Sequence, residues 1–256
     1  MKVVILCGGM GTRLKEETEF KPKPMIEIGG KPILWHIMKT YSHFGFDSFV
    51  LCLGYKGNVI KEYFLNYEYM NSDITVSLGQ EKKVVVHDSR RLDNWQVTLV
   101  DTGFDTMTGG RIKRIEKYID GDDFLVTYGD GLADVNIQEL VAFHKRMGKS
   151  ITVTGLRPES RFGVLEVGDG SLVKCFKEKP KLDGLISGGF FVFNKRVFKY
   201  LEENSVLEQD PMRRLAEDGE MAVFRHHGFW KSMDTYRDVQ EFKQLWDSNN
   251  TPWKTW

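Results

Sequence analysis

Two rhythms alternate along roughly the first 150 residues: short continuous apolar runs, and longer stripes at helical spacing. Val3–Leu6 is a continuous apolar run, the pattern of a strand covered on both faces. Pro32 then opens a helix with Ile33, Leu34, Ile37, Met38, Tyr41 and Phe44 along one face, and Gly45 stops it. Ser48–Leu53 predicts a second buried strand, and a helical segment closes over Tyr63 to Tyr69 behind it. Phe124–Tyr128 predicts a further strand, followed by an amphipathic helix near Ile137–Met147. From Ser150 the rhythm changes. Strands are expected at Ile151–Leu156, Gly163–Val167, Val173–Glu178 and Gly189–Phe193, then helical segments near Lys195–Glu203 and Pro211–Asp218. Thr235 to Asp247 predicts a last helix carrying Val239, Phe242, Leu245 and Trp246.

Strand and helix alternation of this kind predicts an α/β fold, a doubly wound, mostly parallel, Rossmann-like sheet. The chain is expected to form one domain over residues 1–256, with halves at about 1–150 and about 151–256. Ligands in such sheets bind beyond the carboxyl ends of the strands. Two segments lie at strand ends: the loop that starts at Gly8, and Tyr128-Gly129-Asp130-Gly131. Both are expected to converge on one cleft.

Composition narrows the possible partners. Lys plus Arg and Asp plus Glu number 36 each, so the formal net charge is zero. That balance argues against a nucleic-acid partner. Local clusters such as Lys82-Lys83 and Arg90-Arg91 read as solvated surface. No apolar run approaches the ~18–20 residues that cross a bilayer, and the run from Val3 to Cys7 is too short for a signal peptide, so no membrane partner and a cytoplasmic location are expected. Cys7, Cys52 and Cys175 form no C-x-x-C pair and read as buried structural thiols. The six histidines show no metal-binding spacing. The aromatic tail Pro252-Trp253-Lys254-Thr255-Trp256 fits packing on its own chain and docking on a partner subunit equally well.

The chemistry is concentrated near the start of the sequence. Val3–Leu6 runs into Cys7-Gly8-Gly9-Met10-Gly11-Thr12-Arg13-Leu14, and Lys21-Pro22-Lys23-Pro24 follows. Glycines let backbone N–H groups approach a phosphate, and Arg and Lys neutralise it. The loop lacks the Gly-Lys-Ser/Thr ending of a P-loop, and Leu14 stands where a dinucleotide fingerprint needs its third glycine. Taken whole, the string resembles the signature of the sugar-1-phosphate nucleotidyltransferases, with Cys7 and Glu16 as tolerable departures.

That resemblance implies the nucleotide-diphospho-sugar transferase type of fold, with a smaller sugar-binding β region. It implies that Leu6, Cys7, Gly8, Gly9, Met10, Gly11, Thr12, Arg13 and Lys23 hold the nucleotide, together with Thr106, Arg111 and Gly129. Asp130, and Asp234 in Trp230-Lys231-Ser232-Met233-Asp234-Thr235, would bind Mg²⁺. Read alone, Asp130 is a turn aspartate and Asp234 a helix N-cap. Phe176-Lys177-Glu178-Lys179-Pro180, Gly188-Gly189 and Arg161-Phe162-Gly163 resemble the sugar-phosphate elements, which points to Gly163, Glu178, Lys179, Gly188 and Gly189. Arg13, Lys23 and Asp130 would carry the catalysis.

The segment Thr102-Gly103-Phe104-Asp105-Thr106-Met107-Thr108-Gly109-Gly110-Arg111 resembles the form found in glucose-1-phosphate cytidylyltransferases. CTP and glucose 1-phosphate are then the expected substrates and CDP-glucose the product, in a homo-oligomer serving deoxysugar synthesis. Arg111 would donate to a pyrimidine oxygen or a phosphate, and backbone carbonyls near Gly8 would select cytosine. The alternatives are a UTP- or dTTP-using enzyme on the same scaffold and a non-catalytic regulatory module that keeps the fold.

Overall fold

The computed structural model describes residues 1–79, 83–87, 92–158, 162–178, 180 and 183–256. Lys82, Arg90 and Arg91 of the basic clusters lie outside them. Strand β1 (Val3–Leu6) leads through the glycine loop to a short helix α1 (Lys15–Thr18), then to the two-residue strands β2 (Glu27–Ile28) and β3 (Lys31–Pro32). Helix α2 (Ile33–His43), strand β4 (Ser48–Leu53), helices α3 (Gly57–Leu65) and α4 (Tyr67–Asn71), and strands β5 (Asp73–Ser77), β6 (Lys83–His87) and β7 (Gln96–Asp101) follow. Helix α5 (Thr108–Arg114), strands β8 (Asp123–Tyr128) and β9 (Gly131–Ala133) and helix α6 (Ile137–Met147) complete the first half. The second half holds β10 (Ile151–Leu156), β11 (Val164–Val167), β12 (Val173–Lys177), β13 (Ile186–Asn194), α7 (Asp210–Glu217), β14 (Met221–Arg225), β15 (Trp230–Ser232) and α8 (Tyr236–Asp247).

Seven strands form the central sheet in the order β14-β10-β13-β8-β1-β4-β7. Only β13 runs antiparallel, against both β8 and β10, so the expected mostly parallel sheet is observed. The chain goes from β1 to β4 on one side and returns to β8 on the other. The carboxyl ends of β1 and β8 are therefore the switch point where such sheets bind ligands. Val3 and Ile5 face one apolar layer with α2, α6 and α8, and Val4 and Leu6 face the other with Ile112, Val197 and Leu215. This burial on both faces explains the unbroken apolar run.

Several expectations are corrected. The helix expected over Tyr63 to Tyr69 is two helices that break at Asn66. The segment expected as a helix near Lys195–Glu203 is a 3₁₀ turn over Lys195–Tyr200. Strands β7 and β14 join the sheet edges, and β5–β6 and β9–β15 form separate ribbons that the apolar pattern did not show. Cys7 and Cys52 are buried, while Cys175 on β12 is half-buried.

The aromatic tail packs on its own chain. Trp253 is fully buried beside Phe242 and Phe229, and Trp246, Trp253 and Trp256 surround His36. Gly29, at φ 59°, leaves the space that the Trp246 ring fills. His36 is itself buried, with Nε2 2.9 Å from the Ile28 carbonyl and no partner for Nδ1. Burial, with Lys254 and Lys31 adding to it, pushes its pKa from 6.5 down to about 4. A second proton would create a buried N–H with no acceptor.

The neutral imidazole therefore contributes stability that is complete above pH 6.5 and is lost as pH falls towards about 4. By pH 5 the loss should reach about 2 kcal/mol. Urea unfolding of wild type and His36→Gln at pH 7, 6 and 5 checks this. The stability gap between the two proteins should shift by about that amount, and parallel curves would show that His36 does not titrate in this window.

Candidate active site

A cleft opens at the β1/β8 switch point. Leu6 pairs with Tyr128 across the two strands, and Gly129 N–H donates to the Leu6 carbonyl at 3.0 Å. This places the glycine loop beside Gly129-Asp130. A cavity of about 390 Å³ is lined there by Leu6, Cys7, Gly8, Gly9, Gly11, Thr12, Arg13, Lys23, Thr106, Arg111, Gly129, Asp130 and Asp234, with Pro24, Met107, Thr108 and Tyr128. All the residues that the sequence assigned to a nucleotide line it except Met10, which is 49% exposed.

Short ribbon pairing brings the two aspartates together. Strand β9 follows Asp130, strand β15 precedes Asp234, and the two strands run antiparallel with Gly131 opposite Ser232. Met233 N–H closes the ribbon onto the Asp130 carbonyl at 2.8 Å. Lys23 Nζ sits between the carboxylates, 2.7 Å from Asp130 Oδ2 and 2.9 Å from Asp234 Oδ1. Burial opposes the Lys23 ammonium, but Asp130 and Asp234 outweigh it and raise its pKa. Burial likewise opposes the Asp234 carboxylate, and Lys23 and the Ser232 hydroxyl at 2.7 Å overcome it and hold its pKa low. Asp238 fixes the backbone behind this group: its Oδ2 accepts from Asp234 N–H and from the N–H and hydroxyl of Thr235. Thr235 caps α8 through the reciprocal half of this capping box, so the N-cap is Thr235 rather than Asp234. Asp234 is left facing the cleft.

Arg111 occupies the floor of the cavity. It is almost fully buried, and its Nη groups donate to Leu53 O, Thr102 Oγ1, Gly103 O, Gly8 O and Phe104 O at 2.8–3.2 Å. These acceptors belong to the ends of β1, β4 and β7, so one guanidinium ties three strand ends together. Burial depresses its pKa, yet a guanidinium remains charged at neutral pH. Gly8 is required at this point, because a Cβ there would fall 2.1 Å from Arg111 Cζ. The Gly8 carbonyl, a natural choice for reading a base, already accepts from Arg111 and from Tyr55 N–H at 3.2 Å.

A second cavity of about 220 Å³ adjoins the first and shares Tyr128, Asp130 and Asp234 with it. Gly188 and Gly189 line it, together with Trp230 and Ser232. Trp230 Nε1 donates to the Gly188 carbonyl at 2.7 Å and so holds that backbone against the cavity. Gly163 and Glu178 do not line it. They meet each other on the separate β11–β12 ribbon, where a Cβ on Gly163 would fall 3.2 Å from Glu178 Oε2. Arg161 and Lys179 lie outside the described residues. Tyr128, Trp230 and Ser232 were missed as site residues. The sequence signal for each was its place beside an assigned aspartate.

The nucleotidyl transferase family model matches residues 2–252. The chain is 52% identical to the glucose-1-phosphate cytidylyltransferase of Salmonella typhimurium over the full length of both. It is 47% identical, again over both full lengths, to a Bacillus subtilis relative named probable glucose-1-phosphate cytidylyltransferase. The crystal structure of HddC from Yersinia pseudotuberculosis has the same fold, with a TM-score of 0.70 and 24% identity over 95% of this chain and 98% of that one. A glycine loop and two facing aspartates at the switch point of a mostly parallel sheet agree with these likenesses, and the chain belongs to the nucleotidyl transferase family.

Proposed function

We propose that this protein transfers the cytidylyl group of CTP to α-D-glucose 1-phosphate, giving CDP-glucose and pyrophosphate. The observation that carries this reading is the full-length likeness to glucose-1-phosphate cytidylyltransferases at 52% identity. Two adjoining cavities that meet at Tyr128, Asp130 and Asp234 support it. The larger suits the nucleotide, with backbone N–H groups of the Gly8 loop and Arg13 on its phosphates and Thr106, Arg111 and Gly129 in its walls. The smaller suits the sugar phosphate at Gly188 and Gly189, with Gly163, Glu178 and Lys179 assigned to it by resemblance.

The reaction brings two anions together, so charge neutralisation and alignment are the main tasks. A phosphate oxygen of the sugar phosphate attacks the α-phosphorus in line and pyrophosphate leaves. That oxygen is ionised at neutral pH, so no general base is required. Lys23 lines the larger cavity and bridges the two aspartates at the seam, where it neutralises the α-phosphate, and Arg13 meets the departing pyrophosphate. Asp130 and Asp234 would hold a divalent cation with hard oxygen donors; the point where they converge is taken by Lys23 Nζ, so the cation would displace that ammonium towards the substrate phosphate. Among the described residues no group of three or more acidic, His or Cys side chains could hold a metal, so the two carboxylates would hold it together with substrate phosphates. We assign Mg²⁺, which when bound neutralises and orients those phosphates.

Among the described residues no helix is long and apolar enough to cross a membrane. We place the enzyme in the cytoplasm, with its nucleotide substrate, and assign its product to deoxysugar synthesis by resemblance. We also propose a homo-oligomer. Ribbons β5–β6 and β11–β12 are two-stranded and stand apart from the sheet, with Ile74, Val85, Leu165 and Phe176 exposed. Such ribbons are marginal alone and gain from cover.

Pyrophosphate release with glucose 1-phosphate, Mg²⁺ and each of CTP, UTP, dTTP, ATP and GTP tests the substrate assignment. CTP should dominate. Preference for another nucleotide would refute the cytidylyl reading, and silence with all five would favour a binding module. Asp130→Ala and Asp234→Ala should each lower kcat by about a hundredfold or more. Near-normal turnover in Mg²⁺ would remove them from the metal site. Light scattering should give a multiple of the 29.6 kDa chain mass, and a smaller mass is expected for Phe176→Glu or Val85→Glu.

A further inference from the structure

Tyr128 is the one side chain besides Asp130 and Asp234 that lines both cavities. On the sugar side its ring packs over Gly189, where a Cβ would fall 2.5 Å from a ring carbon and where φ is 75°. Its hydroxyl donates to Glu208 Oε1. The other Glu208 oxygen accepts from the Thr108 hydroxyl at 2.7 Å, and Thr108 lines the nucleotide cavity. Thr108 Oγ1 accepts in turn from Leu207 N–H at 2.9 Å.

The segment that carries Glu208 is firmly mounted. Gly110 N–H donates to Ser205 O at 3.0 Å, and Arg114 Nε pairs with Glu203 Oε2 at 2.7 Å. A Cβ on Gly109 or Gly110 would strike the backbone of this segment, so α5 and the segment meet backbone to backbone. Glu208 thus stands on the nucleotide side and reaches across to the wall of the sugar cavity. A charged acceptor holds a phenol more firmly than a neutral one does. Burial and then Glu208 raise the Tyr128 pKa, so the phenol stays a neutral donor throughout the working pH range.

We propose that Glu208 is a positioning residue that couples the two substrate cavities. It fixes Tyr128 as their shared wall and fixes Thr108 on the nucleotide side. The proposal rests on the reading of the two cavities as nucleotide and sugar-phosphate sites. A residue that served one cavity would change one KM. A residue that sets the shared wall changes both, and does so through Tyr128.

Kinetics of Glu208→Ala, Tyr128→Phe, the double variant and Glu208→Gln test this, with thermal unfolding in parallel. Glu208→Ala and Tyr128→Phe should each raise KM for nucleotide and for glucose 1-phosphate by about 3–10-fold, the worth of an ordinary hydrogen bond, because Glu208 acts on the substrates only through the wall it positions. The double variant should be no worse than the weaker single variant. Glu208→Gln should recover most of the loss, because its amide oxygen accepts from Tyr128 and its NH₂ can donate to Thr108. A change confined to one KM, multiplying effects in the double variant, or failure of Glu208→Gln to rescue would each overturn the proposal. The assay uses whichever nucleotide wild type turns over, so an error in the cytidylyl assignment leaves this test intact. Nucleotide titration without sugar phosphate extends it to a chain without turnover: Tyr128→Phe and Glu208→Ala should then weaken binding equally and non-additively.

Discussion

The adjacency of β1 and β8 governs the site. These strands are far apart in sequence and come together only because the chain winds out to β4 and β7 and returns on the other side of β1. Parallel pairing cannot be made by a tight turn, so this adjacency depends on the whole first half of the fold. Once Leu6 pairs with Tyr128, the glycine loop and the Gly129-Asp130 turn must lie side by side. The β9–β15 ribbon then brings Asp234 to the same place from the other end of the chain.

Charge distribution around this cleft follows a division between fixed and available cations. Arg111 has no carboxylate partner among the described residues, and its Nη groups are spread over five neutral oxygens. Such a cation binds the loops together while leaving its charge uncancelled beneath the cavity. Lys23 is balanced by two carboxylates. Arg13 lines the mouth and, among the described residues, makes no hydrogen bond or ion pair, although its charge helps to hold the Asp234 carboxylate ionised. A polyanionic ligand therefore meets one free cation at the mouth, one exchangeable cation at the seam and one permanent field at the floor.

Much of this was legible from the residues, and the reasons differ by element. Continuous apolar runs exposed β1, β4 and β8, because burial on both faces removes polar positions. Helix α2 was legible through its stripe. The ribbons β5–β6 and β9–β15 were not: β5 is exposed throughout, and β9 and β15, although Leu132 and Ala133 are buried, are three residues each and too short to show a period. The glycine loop, Lys23, Asp130 and Asp234 stood out as a group by their residue types and their places at strand ends, and the structure brings them to one cleft. Arg111 was placed correctly in the cleft, but its bonds to strand ends depend on β4 and β7 standing beside β1, which no local pattern encodes. Tyr128 and Ser232 were hidden for a related reason: a tyrosine at a strand end and a serine before a turn are ordinary until their neighbours are known.

The two cavities share a wall because one strand end borders both. In the proposed reaction, in-line transfer needs the attacking and leaving groups on opposite sides of one phosphorus, which two abutting cavities would allow. The end of β8 is the only element that borders β1 on one side and β13 on the other. Its last residue, Tyr128, therefore faces the glycine loop and Gly189 at once, and the next turn supplies Asp130 at the seam. Strand order, rather than any single side chain, makes the junction between the two cavities a property of the sheet.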